Sequence, residues 1–145
     1  MARIDQHSRI RAVRVVSPVA IGTTGTGQVG KVIDTAGYDG VEFIISYGTL
    51  TATGAVYTVT VKEGDVTGTM TSVADADLLG TEALAGIAAS TPRTSGVSKN
   101  VVKRIGYKGN KRYVQCGVKS TLTAATPVSI DAILFNPSYA ATANP

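Results

Sequence analysis

Few residues in this chain have side chains suited to catalysis. There is one histidine, His7, and one cysteine, Cys116, and there is no tryptophan. His7 stands beside Asp5 and Ser8 on a basic N-terminal segment. Groups so close in sequence do not make a triad, whose members must face one another from a rigid scaffold. One His and one Cys exclude the common zinc patterns. The acids Glu63, Asp65, Asp75 and Asp77 lack the ligand spacing of a calcium loop and read as turn formers. Cys116 lies in an apolar alternation and reads as a small buried side chain, with no partner in the chain for a disulfide.

The stretch "GTTGTGQVGKV", residues 22–32, contains two phosphate-binding patterns. Gly25 to Gly30 spells G-x-G-x-x-G, and Gly25 to Lys31 spells G-x-x-x-x-G-K. Both motifs need a helix after the loop, and the second also needs a hydroxyl behind the lysine to hold Mg²⁺. Here Val32 follows Lys31, and "VIDTAGYDG" is too short and turn-rich for a helix. The stretch reads as a loop between strands. No catalytic residue, cofactor or metal is expected, and the chain reads as a non-enzyme.

The elements around these residues are strands. Val41, Phe43, Ile45 and Tyr47 alternate on one face, and Tyr57, Val59 and Val61 repeat the pattern. Asn100–Ile105, Lys111–Val118 and Val128–Phe135 read as further strands. Arg112, Val114, Cys116 and Val118 share a face in the second of these. Val13–Ile21, interrupted by Pro18, reads as an edge strand or extended arm. Glu63-Gly64-Asp65 reads as a turn, residues 72–89 as room for a short helix, and "ASTPRTSG" as a loop. "GYDG" before one strand and "TLTA" after it recur as "GYKG" and "TLTA" in the second half. Each half then reads as turn, strand, hairpin connection, strand, and a duplication and shared turn chemistry both account for that. The length of 145 residues suits one domain. Short strands with regular turn signals predict an all-β sandwich or jelly roll. The expected division is a basic arm at 1–14, a sandwich at 15–137 and a tail at 138–145.

Charge is unevenly placed. Arg3, Arg9, Arg11 and Arg14 crowd the arm. Lys99, Lys103, Arg104, Lys108, Lys111, Arg112 and Lys119 give residues 99–119 seven cations and no acid. Residues 15–98 hold eight acids against Lys31, Lys62 and Arg93. Such asymmetry favours an acidic partner or another copy's acidic face. Tyr107 and Tyr113 among the cations leave a nucleic-acid-binding β module at 99–119 as an alternative. The competing reading turns the tyrosines to the core and the lysines to water. No run reaches the length of a membrane span and no signal-peptide core follows the first basic residues, so a soluble protein made in the cytoplasm is expected.

"VIDTAGYDGVEFIISYGTLTATGAVYTVTVKEGD", "VADADLLG", "VVKRIGYKGNKRYV" and "AILFNP" together resemble the small capsid cement (decoration) proteins of tailed bacteriophages. The resemblance runs from about Val32 to Pro137. The extended N-terminal arm and at most one short helix are read from the residues, since the arm and the last eight residues lie outside the resemblance. The resemblance itself implies a β-sandwich of jelly-roll type on the outer surface of the phage head. There it would bind the major capsid protein and clamp neighbouring capsomers as a homodimer or homotrimer. No membrane or small-molecule substrate is implied, and the family has no catalytic motif to transfer. Tail-tube and head-completion proteins are the neighbouring alternatives. The contact residues expected from charge are Arg3, Arg9, Arg11, Arg14, Lys103, Arg104, Lys108, Lys111 and Arg112.

One prediction follows from the glycine-rich stretch. Calorimetric titration with ATP, GTP and NAD should give no saturable heat. A micromolar affinity that disappears in Lys31→Ala would contradict the loop reading.

Overall fold

Alternating burial runs through every long strand, and it determines which side chains build the core. The computed structural model describes residues 6–22, 27–88 and 100–138. In chain order the strands are β1 (Ile10–Gly22), β2 (Gln28–Val29), β3 (Ile33–Asp34), β4 (Tyr38–Tyr47), β5 (Tyr57–Val66) and β6 (Thr69–Ser72). They continue with β7 (Leu78–Leu79), β8 (Val101–Tyr107), β9 (Tyr113–Ser120) and β10 (Ala124–Pro137). The only α-helix among the described residues is α1 (Glu82–Ala85), a single turn capped by the Thr81 side chain, which accepts from the Leu84 N–H at 3.1 Å.

The strands form two antiparallel sheets, with orders β1-β10-β4-β8-β7 and β2-β9-β5-β6, and β3 also pairs with β9. From β4 onward the long strands alternate between the sheets, with β4, β8 and β10 in the first and β5 and β9 in the second. That interleaved order is a jelly roll. The core lies between the sheets. Val41, Phe43, Ile45 and Tyr47 of β4 and Val128, Ile130, Ala132 and Leu134 of β10 meet Tyr57, Val59 and Val61 of β5 and Val114, Cys116 and Val118 of β9. The buried phenols are satisfied: Tyr47 donates to the Ala85 carbonyl at 3.1 Å, and the Tyr57 hydroxyl lies 2.8 Å from Thr126 Oγ1.

Several sequence expectations change. The first strand starts at Ile10, so Arg11 and Arg14 belong to the sheet and not to an arm ending at residue 14. Pairing of Ile10–Arg14 with Phe135–Asp131 draws this segment in. Glu63-Gly64-Asp65 is not a turn but part of β5. A register shift between Glu63 and Val66 absorbs the irregularity, and Gly64 sits so close to the Thr69 carbonyl that a Cβ would overlap it. The two "TLTA" segments are not hairpin connections. They are arches between the sheets at one end of the sandwich, where Thr121 N–H donates to Val56 O and Val56 N–H to Thr121 Oγ1. The segment 72–88 gives a 3-10 turn at Asp75–Asp77, then β7 and α1. Residues 89–96, read as a loop, lie outside the described residues, as does the tail beyond Ser138.

The glycine-rich stretch is only partly a loop, because Gln28–Val29 pairs with Val118–Gly117 of β9. Strand β3 follows Lys31. Gly27 and Gly30 pass against the backbone of β9, where a Cβ would overlap the carbonyls of Val118 and Cys116. Close backbone approach accounts for these two glycines.

Phe43 is fully buried while Val102 is 68 % exposed, although both lie on adjacent strands. Phe43→Ala should therefore cost about 3–5 kcal/mol of stability, and Val102→Ala no more than about 0.5 kcal/mol. Denaturant melts of the two variants check this contrast.

Candidate interaction surface

The cation-rich stretch does not form one basic patch. Lys103 and Arg104 lie on β8 in the first sheet, while Lys111 and Arg112 lead into β9 in the second. Three of the nine expected contact residues are engaged within the chain. Lys111 Nζ meets Asp65 Oδ2 at 2.6 Å, Arg112 meets Asp34 at 2.9 Å and Arg104 approaches Glu42 at 3.7 Å. Arg9, Arg11, Arg14, Lys103 and Lys108 make no ion pair among the described residues. Arg3 lies outside them.

The tyrosines of the stretch are not free platforms. Tyr107 is buried, and its hydroxyl donates to Glu63 Oε2 at 2.6 Å and accepts from the Lys111 N–H at 3.0 Å. Burial first, and then the Glu63 carboxylate, push its ionisation well above the ordinary phenol range. Tyr113 is half-buried under the Arg112 guanidinium, 5.2 Å from its ring centroid. Base stacking, which the nucleic-acid reading required, has no exposed ring in this segment. Cys116 is buried and its thiol is pushed up to about 12, chiefly by desolvation, which makes it a poor nucleophile at neutral pH. Glu63 and Asp65 are held by Tyr107 and Lys111, and no group of metal-ligating side chains occurs among the described residues. No helix of the described residues is long and apolar enough to cross a membrane.

What sequence reading missed is the difference between the two outer faces. In β4 the residues alternating with the core are Glu42, Ile44 and Ser46, and in β10 they are Ser129, Asp131, Ile133 and Phe135. Pairing sets Ile133 beside Glu42, Asp131 beside Ile44 and Phe135 beside Gly40. The Phe135 ring lies across Gly40, and Leu79 lies across Gly106. With Ile10, Ala12 and the exposed Val102, these residues give the outer face of the first sheet an apolar character, interrupted by Arg14, Asp131 and the Glu42–Arg104 pair. The outer face of the second sheet carries Thr58, Thr60, Lys62, Gln115 and Lys119, with one exposed apolar residue, Val29, beside Gly117. Alternation was visible in the sequence, but strand order was not, and strand order decides which outward residues are neighbours.

Lys31 was read from the sequence as part of the glycine pattern, and its place beside Arg11 was not foreseen. It lines, with Arg11, a cleft of about 190 Å³ at the open side of the sandwich between β1 and β3. Asp34 is in the same cleft, already held by two Arg112 nitrogens.

No family model and no curated protein sequence matches the chain. Among solved structures, the CBM22-1–GH10 modules of Clostridium thermocellum xylanase 10B, complexed with xylohexaose, superpose with a TM-score of 0.40 at 11 % identity, covering 89 % of this chain and 26 % of that one. The CBM22-1 xylan-binding domain of Paenibacillus barcinonensis Xyn10C gives 0.39 at 11 % identity, covering 89 % and 99 %. The Cellvibrio japonicus xylanase 10C mutant E385A, in complex with xylopentaose, gives 0.36 at 13 % identity, covering 94 % and 28 %. Superpositions this loose fix neither a ligand nor a family.

The Asp34–Arg112 pair generates a pH prediction. Hydrogen bonding to Arg112 holds the Asp34 carboxyl below its ordinary value, against a smaller opposing effect of burial. Its contribution to stability is therefore complete above the unfolded value of about 3.9 and is lost as pH falls through the lower folded value. Burial raises Glu42 despite Arg104, so Glu42 acts with the opposite sign. A global acid melt mixes the two, and carboxyl NMR titration separates them. Asp34 should titrate below Glu42, and Arg112→Ala should move Asp34 up while leaving Glu42 in place.

Proposed function

We propose that this chain is a structural virion protein that binds the outer surface of a phage head and cements neighbouring capsomers. The observation that carries the reading is the outer face of the five-stranded sheet, where Ile44, Ile133, Phe135, Leu79 and Val102 present apolar surface around a few charges. Apolar side chains set among a few charges on a sheet face suit a surface that adheres to another protein. The jelly roll and the motif resemblance to cement proteins are consistent with it. Arg9, Arg11, Arg14, Lys103 and Lys108, which make no ion pair among the described residues, supply further contacts to acidic capsid surface.

On this reading the protein has no catalytic role. Its partners are the major capsid protein and other copies of itself, as a homodimer or homotrimer on the capsid lattice. Symmetric association gives each unit two or three equivalent contacts at once, so modest individual contacts add to firm attachment. Charge guides docking more than it holds the complex, which makes association slower as salt rises.

Particles assembled with the protein and without it test the reading. Decorated heads should retain their DNA to a higher temperature than bare heads, and the protein should cosediment with them. Equal thermal release from the two kinds of particle would remove the cement role. Absence of the protein from purified virions would remove the structural reading altogether.

A further inference from the structure

We infer that the free edge of β1 between Ile10 and Arg14 receives an extended acidic strand from a partner protein. This deepens the proposed function and rests on it, since the partner would be an acidic segment of the capsid subunit.

Strand β1 is the last of its sheet, and among the described residues nothing pairs with its far edge along Ile10–Arg14. On the other side these five residues pair in unbroken register with Phe135–Asp131. An unpaired edge presents backbone donors and acceptors ready for one more strand. The opening has a defined limit, because the Lys31 N–H donates to the Val15 carbonyl at 3.0 Å and closes the edge there. Five residues span about 16 Å, enough for a short strand.

Chemistry selects what can be added. Alternation sets Arg11 and Val13 toward the seam between the sheets, and Ala12 and Arg14 toward the outer face. In the seam, Arg11 and Lys31 line the cleft, and Val13, Ile33 and Leu134 supply its apolar wall. The one acid there, Asp34, is already neutralised by Arg112. Arg11, Lys31 and Arg14 are exposed and make no ion pair among the described residues. An added antiparallel strand therefore places one carboxylate opposite Arg14, an apolar side chain opposite Val13, and a second carboxylate opposite Arg11 and Lys31. Read along the partner, the pattern is Glu-Val-Xaa-Glu.

The test uses the full chain and a labelled peptide, acetyl-Thr-Glu-Val-Thr-Glu-Thr, read by fluorescence anisotropy. Saturable binding is expected, weakened at least tenfold by Arg11→Ala with Lys31→Ala and weakened by added salt. The same peptide with Lys for Glu should not bind. Two further versions carry N-methyl groups on one or the other set of alternate residues, and one of them should lose binding because its ladder N–H groups are gone. Failure of the parent peptide to bind overturns the inference, as does equal binding of both N-methylated versions. Tighter binding of a single-stranded oligothymidine assigns the cleft to nucleic acid and overturns it too. Head decoration is measured separately. A protein that decorates heads but ignores the peptide loses this inference and keeps the cement reading, while peptide binding without decoration removes the cement reading and, with it, the capsid subunit as the source of the strand.

Discussion

The pairing of β10 with β4 holds the rest of the molecule in place. The two strands share nine register partners, from Val128 with Tyr47 to Pro137 with Tyr38. β10 also carries β1 on its other side, and β4 carries β8. Register here is fixed by burial. Val128, Ile130, Ala132 and Leu134 face the core, and a slip by one residue would turn Ser129, Asp131 and Ile133 inward. Burying the Asp131 carboxylate without a partner is costly, so the slipped sheet is not a close competitor. The same register that buries one row brings Ile44, Ile133 and Phe135 together on the other side. The candidate interaction face is a consequence of how the core is held.

Periodicity of two is a local property, and it was legible. The strands expected at Val41–Tyr47 and Val128–Phe135 fall inside β4 and β10, and the one expected at 55–61 overlaps β5, which begins at Tyr57. For β4 and β5, alternation predicted the inner face residue by residue. The all-β sandwich of jelly-roll type followed from several such runs and from the motif resemblance. Other features depend on pairing between distant segments, which alternation does not reveal. Glu63-Gly64-Asp65 has turn composition, yet pairing with β9 keeps it extended. The segment before residue 15 looked like an arm because its cations suggest solvent, but Arg11 and Arg14 sit opposite Leu134 and Asp131 in a sheet. Of the candidate site, the cations were named from composition, while their partners Asp34, Asp65 and Glu42 became visible only in three dimensions.

The motif in the glycine-rich stretch illustrates the same separation of local from tertiary causes. A glycine pattern reports that a Cβ is not tolerated, and it is silent about what lies in the way. At Gly27 and Gly30 the obstacle is the backbone of β9. Lys31, which completed the apparent phosphate loop, instead uses its backbone N–H to tie the inter-sheet connection to β1 and leaves its side chain beside Arg11.

Edge strands need protection from uncontrolled pairing, and cations and proline are ordinary means of providing it. The two halves of β1 differ in this respect. Beyond Arg14 the register shifts between Arg14 and Val16 and again between Val16 and Val19, with Pro18 inside the second shift. A bulged segment containing proline is a poor template for any added strand. Ile10–Arg14 has neither device, and among the described residues its regular backbone is guarded only by the charges of Arg11 and Arg14, with Lys31 close by. Like charges keep the β1 edges of two copies apart, since each would bring cations against cations. They impose no such cost on an acidic strand. Repulsion of self and attraction of an acidic partner are thus the same physical feature, which is how an interface gains specificity without added contacts.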